Sequence, residues 1–417
     1  MIALLFAAYL TAAPAPTAAL SPPFEGGEGG VPFVVRSADA VHEGAFTELD
    51  ETWSVRVNKS LVAGGELVSL KRKNATLPIS VPNNLLILAN GDRLVLDAAL
   101  VPELRDDRLL FRPATPLQLA QETASISVSL VSLLWFAGSE RDNDPLLTLR
   151  RLHSQPGARD LILLGNGDQL EGTISGLDAK QGLRATVNQR DMTLPAHKLA
   201  AIAFNKELQT RLRTTGPVAH LVLANGTRVG VSKLRLSAGN RTLEGKTLFG
   251  VDCSIPLESL VSLQIRGGRA VYLSDLIPSR QEQQPFLGVS WPLARDSSVA
   301  GRDLLLAGSA YDKGLGMHAG TRVTFDLKGE YRWFEAVVGM DDVTGKRGQA
   351  RFSIQVDGKV LETHGSKELC ATDPPRVVRV SVLQAKELTL VTDFSETFGN
   401  VQAHVNWADA RLVRSAP

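Results

Sequence analysis

The chain has 417 residues, of which 44% are hydrophobic and 21% charged, a balance typical of globular rather than disordered proteins. Its 45 Lys and Arg residues nearly balance its 44 Asp and Glu residues, so no large electrostatic field directs it to nucleic acid or anionic lipid. This length is too great for one compact core, and two to four domains are expected.

The N-terminal stretch MIALLFAAYLTAAPAPTAALSPP is apolar at first and then rich in small residues and proline. It predicts a signal peptide over residues 1–19, cleaved after Ala15 or Ala19, although no Lys or Arg precedes the apolar run. A membrane anchor or a misassigned start is the alternative. Residues 20–32 are predicted to form a flexible leader. No later apolar run reaches the roughly 20 residues needed to span a bilayer, so the mature chain is expected to be secreted, periplasmic or at the cell envelope, where a partner is possible.

Three segments repeat one pattern, in which an apolar strand, an Asn-Gly turn and a second strand follow each other. They are LLILANGDRLVL (85–96), LILLGNGDQLEG (161–172) and HLVLANGTRVGV (220–231). Asn-Gly suits the positive φ angles of a type I′ turn, so each segment predicts a β-hairpin.

These hairpins predict small five-stranded, barrel-like β repeats over 81–150, 158–206 and 217–267, with a weaker first copy over 33–80. Units of this size are not very stable alone, so neighbouring repeats are expected to pack together. The segment NKELQTRLRTTG (205–216) is predicted to be a short helix that connects two of them.

The C-terminal part reads as one larger β domain. Six or more strands in about 150 residues predict a two-sheet sandwich, and Asp357-Gly358 predicts a hairpin turn. The predicted strands lie at 321–327, 331–340, 351–364, 376–382, 387–394 and 404–413. The whole chain is thus expected to be mostly β, with several small barrel-like β repeats followed by a C-terminal jelly-roll β-sandwich.

Known catalytic motifs are missing from the sequence. There is no His-Glu-x-x-His pattern, Gly-x-Ser-x-Gly elbow, Walker loop or dinucleotide-binding fingerprint, so no catalytic residue and no cofactor are predicted. Cys253 and Cys370 are too few for a disulfide framework or a cysteine-based zinc site. Buried free thiols are the favoured interpretation, and one long-range disulfide is the alternative.

Asp341 and Asp342 follow a predicted strand. Adjacent carboxylates on an extended chain point to opposite sides, so they make a poor acid/base pair. In one interpretation, one of them accepts hydrogen bonds from a sugar hydroxyl or binds Ca²⁺, which prefers oxygen ligands. In the other, one caps a turn and pairs with a nearby Arg or Lys.

His318 follows two glycines that permit a tight crossing of the chain onto a sheet. Its imidazole is predicted either to bind a ligand hydroxyl or, as we favour, to lock that crossing by donating to a backbone carbonyl. Tyr311, Trp333 and Trp407 are the aromatic side chains considered for stacking on a sugar ring. Tyr311 is expected to be exposed in a loop, whereas core positions are favoured for the two tryptophans.

The stretch YDKGLGMHAGTRVTFDLKGEYRWFEAVVGMDD (311–342) resembles the NPCBM family of carbohydrate-binding modules, which occurs in bacterial secreted and surface proteins. The later segments FSIQVDGK and WADARL and the earlier YLSDLIP also fit, so the resemblance covers about 270–415. The family's pattern falls on Tyr311, 313–316, 318–319, Gly329, Tyr331, Phe334, Ala336 and 338–342.

The resemblance implies a galactose-binding-like sandwich over 268–417 that binds sugar without catalysis. Tyr311, His318, Asp341, Asp342 and Trp407 are then the candidate sugar-binding residues, and a polysaccharide or other glycan is the expected partner. The family usually has an acidic residue where this chain has Ala403, so any role of that acid in binding sugar or metal is lost here. An interaction scaffold with a degenerate sugar site is the alternative function, and a glycoside hydrolase with an unrecognised site is a further one.

Overall fold

The computed structural model describes residues 31–79, 84–136, 144–155, 157–212, 214–237, 239, 241–285, 288–361, 367–396 and 402–415. The predicted signal peptide lies outside the described residues, as does the predicted leader up to residue 30. Within these ranges the chain is mostly β with one α-helix, which confirms the predicted fold class. No helix in the same ranges has the length and apolarity needed to cross a bilayer.

The N-terminal part contains four stretches that share one order of elements. In each, antiparallel strands joined by turns lead to a 3-10 turn, and the strand after it pairs with the first strand of the stretch. The first stretch, where the sequence predicted only a weak copy, has this order as well. Its strands are β1 (Pro32–Ser37), β2 (Val41–Leu49), β3 (Val55–Val57), β4 (Ser60–Val62) and β5 (Leu67–Arg72).

The other three stretches follow along the chain. The second contains β6 (Leu85–Leu88), β7 (Arg93–Val95), β8 (Glu103–Arg105), β9 (Arg108–Phe111), β10 (Gln118–Leu119), β11 (Ala124–Ser127) and β12 (Val131–Trp135). The third contains β13 (Asp160–Leu164), β14 (Gln169–Asp178), β15 (Gly182–Val187), β16 (Arg190–Leu194) and β17 (Leu199–Ala203). The fourth contains β18 (Val218–Leu223), β19 (Arg228–Leu236), β20 (Thr242–Thr247), β21 (Asp252–Pro256) and β22 (Leu260–Arg266).

The four stretches form one continuous β structure rather than separate barrels. Closing strands pair across stretches, β5 with β22 and β12 with β17, and β7 pairs with β19. One hydrophobic core also runs through all four, with Phe33, Leu94, Ile162 and Leu221 each at most 1% exposed. Because each stretch is small, sharing a core lets it bury apolar surface that it could not bury alone.

The Asn-Gly hairpins occur where predicted, but their turn type differs from the prediction. Gly91, Gly167 and Gly226 have φ near +90°, whereas none of the preceding asparagines has positive φ. Each asparagine side chain instead accepts the backbone N–H two residues on, for example Asn225 Oδ1 from Thr227 at 2.9 Å. The result is a turn followed by a left-handed glycine rather than type I′. Asp357-Gly358, with φ of 49° and 77°, does have the type I′ signature.

The helix predicted at 205–216 is wrong within the described residues. Only Lys206–Leu208 forms a single 3-10 turn there, and Leu208 stays 70% exposed, so no apolar face is available to stabilise a longer helix. The α-helix α1 lies instead at Pro145–Ser154. Asp144 caps it by accepting the N–H of Leu147 at 3.2 Å, and its inner face buries Leu149 and Leu152.

The C-terminal part is a sandwich of two antiparallel sheets. The first sheet contains β23 (Ala270–Tyr272), β25 (Ala294–Arg295), β28 (Gly314–His318), β30 (Tyr331–Met340), β34 (Arg376–Ser381) and β36 (His404–Arg414). The second contains β24 (Arg280–Gln283), β29 (Thr321–Asp326), β31 (Gln349–Val356), β32 (Lys359–Val360), β33 (Lys367–Cys370) and β35 (Glu387–Asp393). The strands β26 (Leu304–Leu306) and β27 (Ser309–Tyr311) pair with each other in a separate two-stranded hairpin.

The sandwich has its own core, separate from that of the N-terminal part. Phe334 and Trp407 of the first sheet and Phe325 and Phe352 of the second are all at most 2% exposed within it. Five of the six strands predicted for this part are confirmed, since alternating apolar residues supply the inner faces of both sheets. The segment predicted at 351–364 instead turns at Asp357-Gly358 to form β31 and β32, and residues 362–364 lie outside the described residues.

Ion pairs connect the sandwich to the N-terminal part. Glu335 binds Arg411 of its own sheet through two hydrogen bonds of 2.8 and 3.0 Å and lies 3.9 Å from Arg36 of β1. Arg379 lies 3.5 Å from the same carboxylate and also donates to the backbone oxygen of Ala38 at 3.0 Å. Glu335 and Arg411 are only 6% and 5% exposed, so this ion pair within the sandwich is buried, whereas Arg36 and Arg379 are half-buried at the contact between the two parts.

Both cysteines are free thiols, as the favoured interpretation predicted. Cys253 is buried, and burial raises the pKa of its thiol to about 12, so little of the reactive thiolate forms at neutral pH. Cys370 is half-buried.

Candidate functional site

Tyr311 and Trp407 do not contribute to a common sugar-binding surface. Trp407 is fully buried, where it packs edge-on against Phe352 and donates its indole N–H to Thr392 Oγ1 at 3.2 Å. It is a core residue, and its ring cannot stack on a sugar in this structure. Tyr311 is half-buried rather than exposed, because Lys71 of the N-terminal part lies 5.8 Å from the centre of its ring.

Asp341 and Asp342 hold two different turns. Asp342 accepts the backbone N–H groups of Ala307 and Gly308, each at 2.7 Å, and so fixes the turn between β26 and β27. Asp341 is 2% exposed and caps the 3-10 turn that follows it by accepting from Val343 at 3.4 Å. Both carboxylates therefore serve turns, the structural interpretation that the sequence left open.

The environment of Asp341 favours a protonated carboxyl group. Burial raises its pKa to about 6, although hydrogen bonds from Ser298, Val343 and Asn406 act in the opposite direction. Among the described residues, no group of three or more His, Cys, Asp or Glu side chains is placed to hold a metal ion. Asp342 is occupied by a separate turn, whereas Asp341 Oδ2 is buried without a hydrogen-bond partner among the described residues, so a calcium ion at Asp341 stays a prediction.

His318 lies at the end of β28, on the outer face of the first sheet. Its side chain is buried, and its Nδ1 lies 3.1 Å from the backbone oxygen of Ala319. A methyl group added to Gly316 would lie 2.5 Å from the backbone oxygen of Ser297, so only glycine lets this segment cover the sheet. The geometry therefore agrees with the favoured structural interpretation of His318.

His318 also belongs to an aromatic cluster with Trp291 and His404, which we call the aromatic triad. The indole of Trp291 stacks on His318 with 5.2 Å between ring centres and 9° between ring planes. His404 is the register partner of His318 on β36, and its ring centre is 5.1 Å from that of Trp291. The triad thus combines an irregular segment with the ends of two neighbouring strands.

The position of Trp291 is fixed by its backbone as well as by its ring. Gln283 of β24 accepts the N–H of Trp291 at 3.1 Å and donates to the oxygen of the same residue. Trp291 remains half-buried, so part of the indole reaches the surface. Burial, followed by the nearby His318, lowers the pKa of His404 to about 4, so this imidazole is uncharged at neutral pH.

Sequence inspection missed two members of the triad. Trp291 lies in an irregular segment outside the motif at 311–342, and no pattern links it to that motif. His404 begins a predicted strand directly after Ala403, which is itself fully buried in the sandwich core. The proximity of His404 to His318 depends on strand register, and that of Trp291 on its hydrogen bonds to Gln283, and the sequence reveals neither.

Comparison with known families identifies the C-terminal part. Residues 269–413 match the NPCBM/NEW2 domain, which confirms the resemblance noted in the sequence. A protein of Renibacterium salmoninarum named "Putative endo-alpha-N-acetylgalactosaminidase" is 34% identical over 117 residues. That alignment covers 28% of this chain and only 8% of the relative.

Solved structures similar to this chain include carbohydrate-binding modules. CBM51 from Clostridium perfringens GH95, in complex with methyl-galactose, is 25% identical and covers 34% of this chain and 99% of its own, with a TM-score of 0.31. The CBM51-2 and INT domains of Clostridium perfringens ZmpB, with GlcNAc, are 19% identical over 57% of this chain and 45% of theirs, with a TM-score of 0.32. Since such TM-scores do not establish a shared fold, the sandwich architecture rests on the sheets described above.

Proposed function

We propose that this chain is an exported, non-catalytic glycan-binding protein that holds a neutral sugar at the aromatic triad of its C-terminal sandwich. The observation that carries the proposal is the partly exposed indole of Trp291, fixed by Gln283 and stacked on His318. An immobilised aromatic face offers a sugar ring a large apolar area at a small entropic cost. The NPCBM/NEW2 match over 269–413 supports a carbohydrate ligand for this domain.

A neutral sugar is favoured because His404, the triad member with a ring nitrogen that no described residue binds, is uncharged at neutral pH. The pKa of His404 lies near 4, so its imidazole can exchange hydrogen bonds with a hydroxyl without carrying charge. His404 Nδ1 is buried without a hydrogen-bond partner among the described residues, which leaves a polar group available beside the indole.

Non-catalytic binding is supported by the arrangement of the carboxylates. Glycosidases of the common types place two carboxyl groups across the scissile bond. Here Asp341 caps its own turn and Asp342 fixes the turn at Ala307 and Gly308, so this pair does not converge. The N-terminal part is then a spacer or a surface for contact with the cell envelope.

The test is glycan-array binding by the full chain, with W291A and F249A as matched variants. Phe249 is a half-buried aromatic residue of the N-terminal part that packs against Phe111, 6.2 Å away. W291A is expected to weaken binding about tenfold or more, and F249A is expected to leave it unchanged. Equal binding by W291A, with unchanged melting temperatures, would place the sugar elsewhere.

An interaction scaffold is the second candidate, and Ala403 favours it because the family usually has an acid there. If the folded wild-type chain binds no glycan on the array but captures an envelope protein, the scaffold interpretation replaces ours. Release of reducing sugar from polysaccharide by the purified chain would instead indicate a glycosidase.

Export is tested separately, by expressing the full chain with a C-terminal tag and sequencing the N terminus of the mature protein. We expect cleavage after Ala15 or Ala19 and recovery outside the cytoplasm, because the first residues have the composition of a signal peptide. An uncleaved N terminus on a protein that remains in the cytoplasm would contradict export and leave the sugar-binding proposal untouched.

A further inference from the structure

A cleft of about 670 Å³ lies where the second and fourth stretches, helix α1 and the sandwich meet. Its volume falls within the range of about 300–1,000 Å³ that is typical of small-ligand pockets. Seven Arg or Lys side chains and four Asp side chains line it, so the lining carries an excess of positive charge. It does not include any residue of the aromatic triad.

All four carboxylates of the cleft are already bound by three of its cations. Arg228 holds Asp312 through two contacts of 2.8 and 2.9 Å, and Lys313 contacts its two partners at 2.6 and 2.7 Å. The pairs are Arg150 with Asp303, Arg228 with Asp312, and Lys313 with both Asp275 and Asp296.

Arg93 and Arg266 have no such carboxylate partner. Neither guanidinium group makes a side-chain hydrogen bond or ion pair with a described residue, and Arg266 Nε is buried without a partner. Burial, followed by the nearby Arg228 and Arg150, lowers the pKa of Arg93 to about 10. Asp303 and Asp312 act on Arg93 as well, but they are in direct contact with Arg150 and Arg228 instead. A buried cation without a direct ion pair is costly, and an anion bound in contact with it would reduce that cost.

Strand register places these groups on one face of the N-terminal sheet. Arg93 on β7 is the strand-register partner of Arg228 on β19, and Arg228 is the register partner of Val222 on β18. His220 lies two positions before Val222 on β18. On the other side of β18, Val218 pairs with Arg266. Paired residues and residues two apart share a face, so all these side chains point into the same cleft.

His220 adds a neutral group to this face. It is 4% exposed, and its Nδ1 is buried without a hydrogen-bond partner among the described residues. Burial, followed by Arg266 and Arg228, holds its pKa well below the ordinary value, so the imidazole is uncharged and can donate one N–H to an anion.

We propose that this cleft is a second binding site, for a saccharide that carries an oxyanion, with the sulfate ester or carboxylate group seated at Arg93 and Arg266. Guanidinium groups bind planar or tetrahedral oxyanions through paired hydrogen bonds. The cleft is several times larger than an inorganic anion, and Tyr311 adds an aromatic surface to its wall. The inference that a sugar carries the oxyanion rests on the proposed function, whereas the preference for an oxyanion does not.

The test is isothermal titration calorimetry of the full chain with galactose 6-sulfate, galacturonate, sodium sulfate and galactose. We expect galactose 6-sulfate or galacturonate to bind at least tenfold more tightly than sodium sulfate. R93M and R266M should each weaken that binding about tenfold, the effect of losing one charge-assisted contact. Because neither side chain makes a direct ion pair with a described residue, the folded state should survive each change.

Two control variants separate this site from the aromatic triad. R105M removes an exposed arginine of β8, far from the cleft lining, and should leave all binding unchanged. W291A should also leave the acidic sugars bound, since it alters only the triad. If W291A loses a neutral glycan and R93M does not, the two sites are distinct.

Three results would overturn the inference. The first is no heat of binding for either acidic sugar with the folded wild-type chain. The second is binding that R93M and R266M do not weaken. The third is binding of sodium sulfate as tight as that of galactose 6-sulfate, because the carrier of the oxyanion would then not be a saccharide. Displacement of the bound sugar by a short oligonucleotide, at a concentration below that of the sugar, would have the same meaning.

Discussion

The N-terminal part and the sandwich are both built from antiparallel strands, yet their repeated turns and their candidate sites are held in different ways. In the N-terminal part, a local contact holds each repeated Asn-Gly turn, as where Asn225 accepts from Thr227 two residues on. In the sandwich, the aromatic triad brings together Trp291, His318 and His404, which are far apart in the chain. Repetition of a local pattern therefore builds the turns, whereas a candidate site in either part requires contacts between segments that are distant in the chain.

The largest expected effect tests whether the two parts have independent cores. W407A removes a fully buried indole from the sandwich core and should lower the free energy of unfolding of that part by about 3–5 kcal/mol. W135A should do the same for the N-terminal part, where Trp135 is 2% exposed. Calorimetric unfolding should show each variant shifting a different transition. One common transition shifted equally by both would mean that the parts unfold as a unit.

The buried ion pair of the sandwich that faces the N-terminal part, Glu335 with Arg411, is expected to rank next. E335Q removes the negative charge that pairs with Arg411 in a site where the two residues are 6% and 5% exposed. It should lower the free energy of unfolding by about 2–3 kcal/mol. E48Q weakens a pair with Arg56 in which the glutamate side chain is 54% exposed, and should cost less than about 1 kcal/mol. Urea denaturation of both variants measures the difference. Equal small losses would show that the interface does not depend on this carboxylate.

Asp341 should make the stability of the sandwich depend on pH. Its pKa is raised to about 6 by folding, so the native state binds a proton more tightly, and stability from this group falls as pH rises from about 4 to 6. D341N cannot ionise and should be more stable than the wild type at pH 8 by an amount on the order of 2 kcal/mol, with no gain at pH 4. Thermal melts across this range measure the difference between the two proteins.

His404 gives the stability of the sandwich the opposite dependence on pH. Its pKa is lowered to about 4, so its contribution to stability is lost as pH falls from about 6.5 to 4. Because both D341N and the wild type retain His404, its effect cancels in their difference. A pH-independent difference between them would show that Asp341 ionises normally in the folded protein.

The smallest expected effect concerns a single turn. D342A removes the acceptor of the Ala307 and Gly308 amides, each bonded at 2.7 Å, and should cost about 1 kcal/mol because the site is exposed. Hydrogen exchange should speed up at these two amides and stay unchanged in the triad. D326A, which removes the acceptor of the Lys328 amide at 3.2 Å, is the matched control. Faster exchange throughout the sandwich would give Asp342 a wider role.

The strands and turns could be predicted because their signals are local. Alternating apolar residues marked the longer strands of the sandwich, and Asn-Gly pairs marked three hairpins. The turn type differed because the asparagine side chain binds the backbone two residues on, which keeps its own φ negative. The helix at Pro145–Ser154 was missed although Asp144 and Pro145 are good N-terminal signals, because its buried face has only Leu149 and Leu152.

The sequence by itself determined the β class, the hairpins and the NPCBM resemblance, since each depends on short contiguous motifs. Only the tertiary structure decided that Trp291 and His404 flank His318, and that Arg93 and Arg266 share a cleft without a direct ion pair to a described residue. The physical reason is that burial, ring stacking and charge pairing depend on distances in space, and strand pairing sets those distances between segments that the chain keeps far apart.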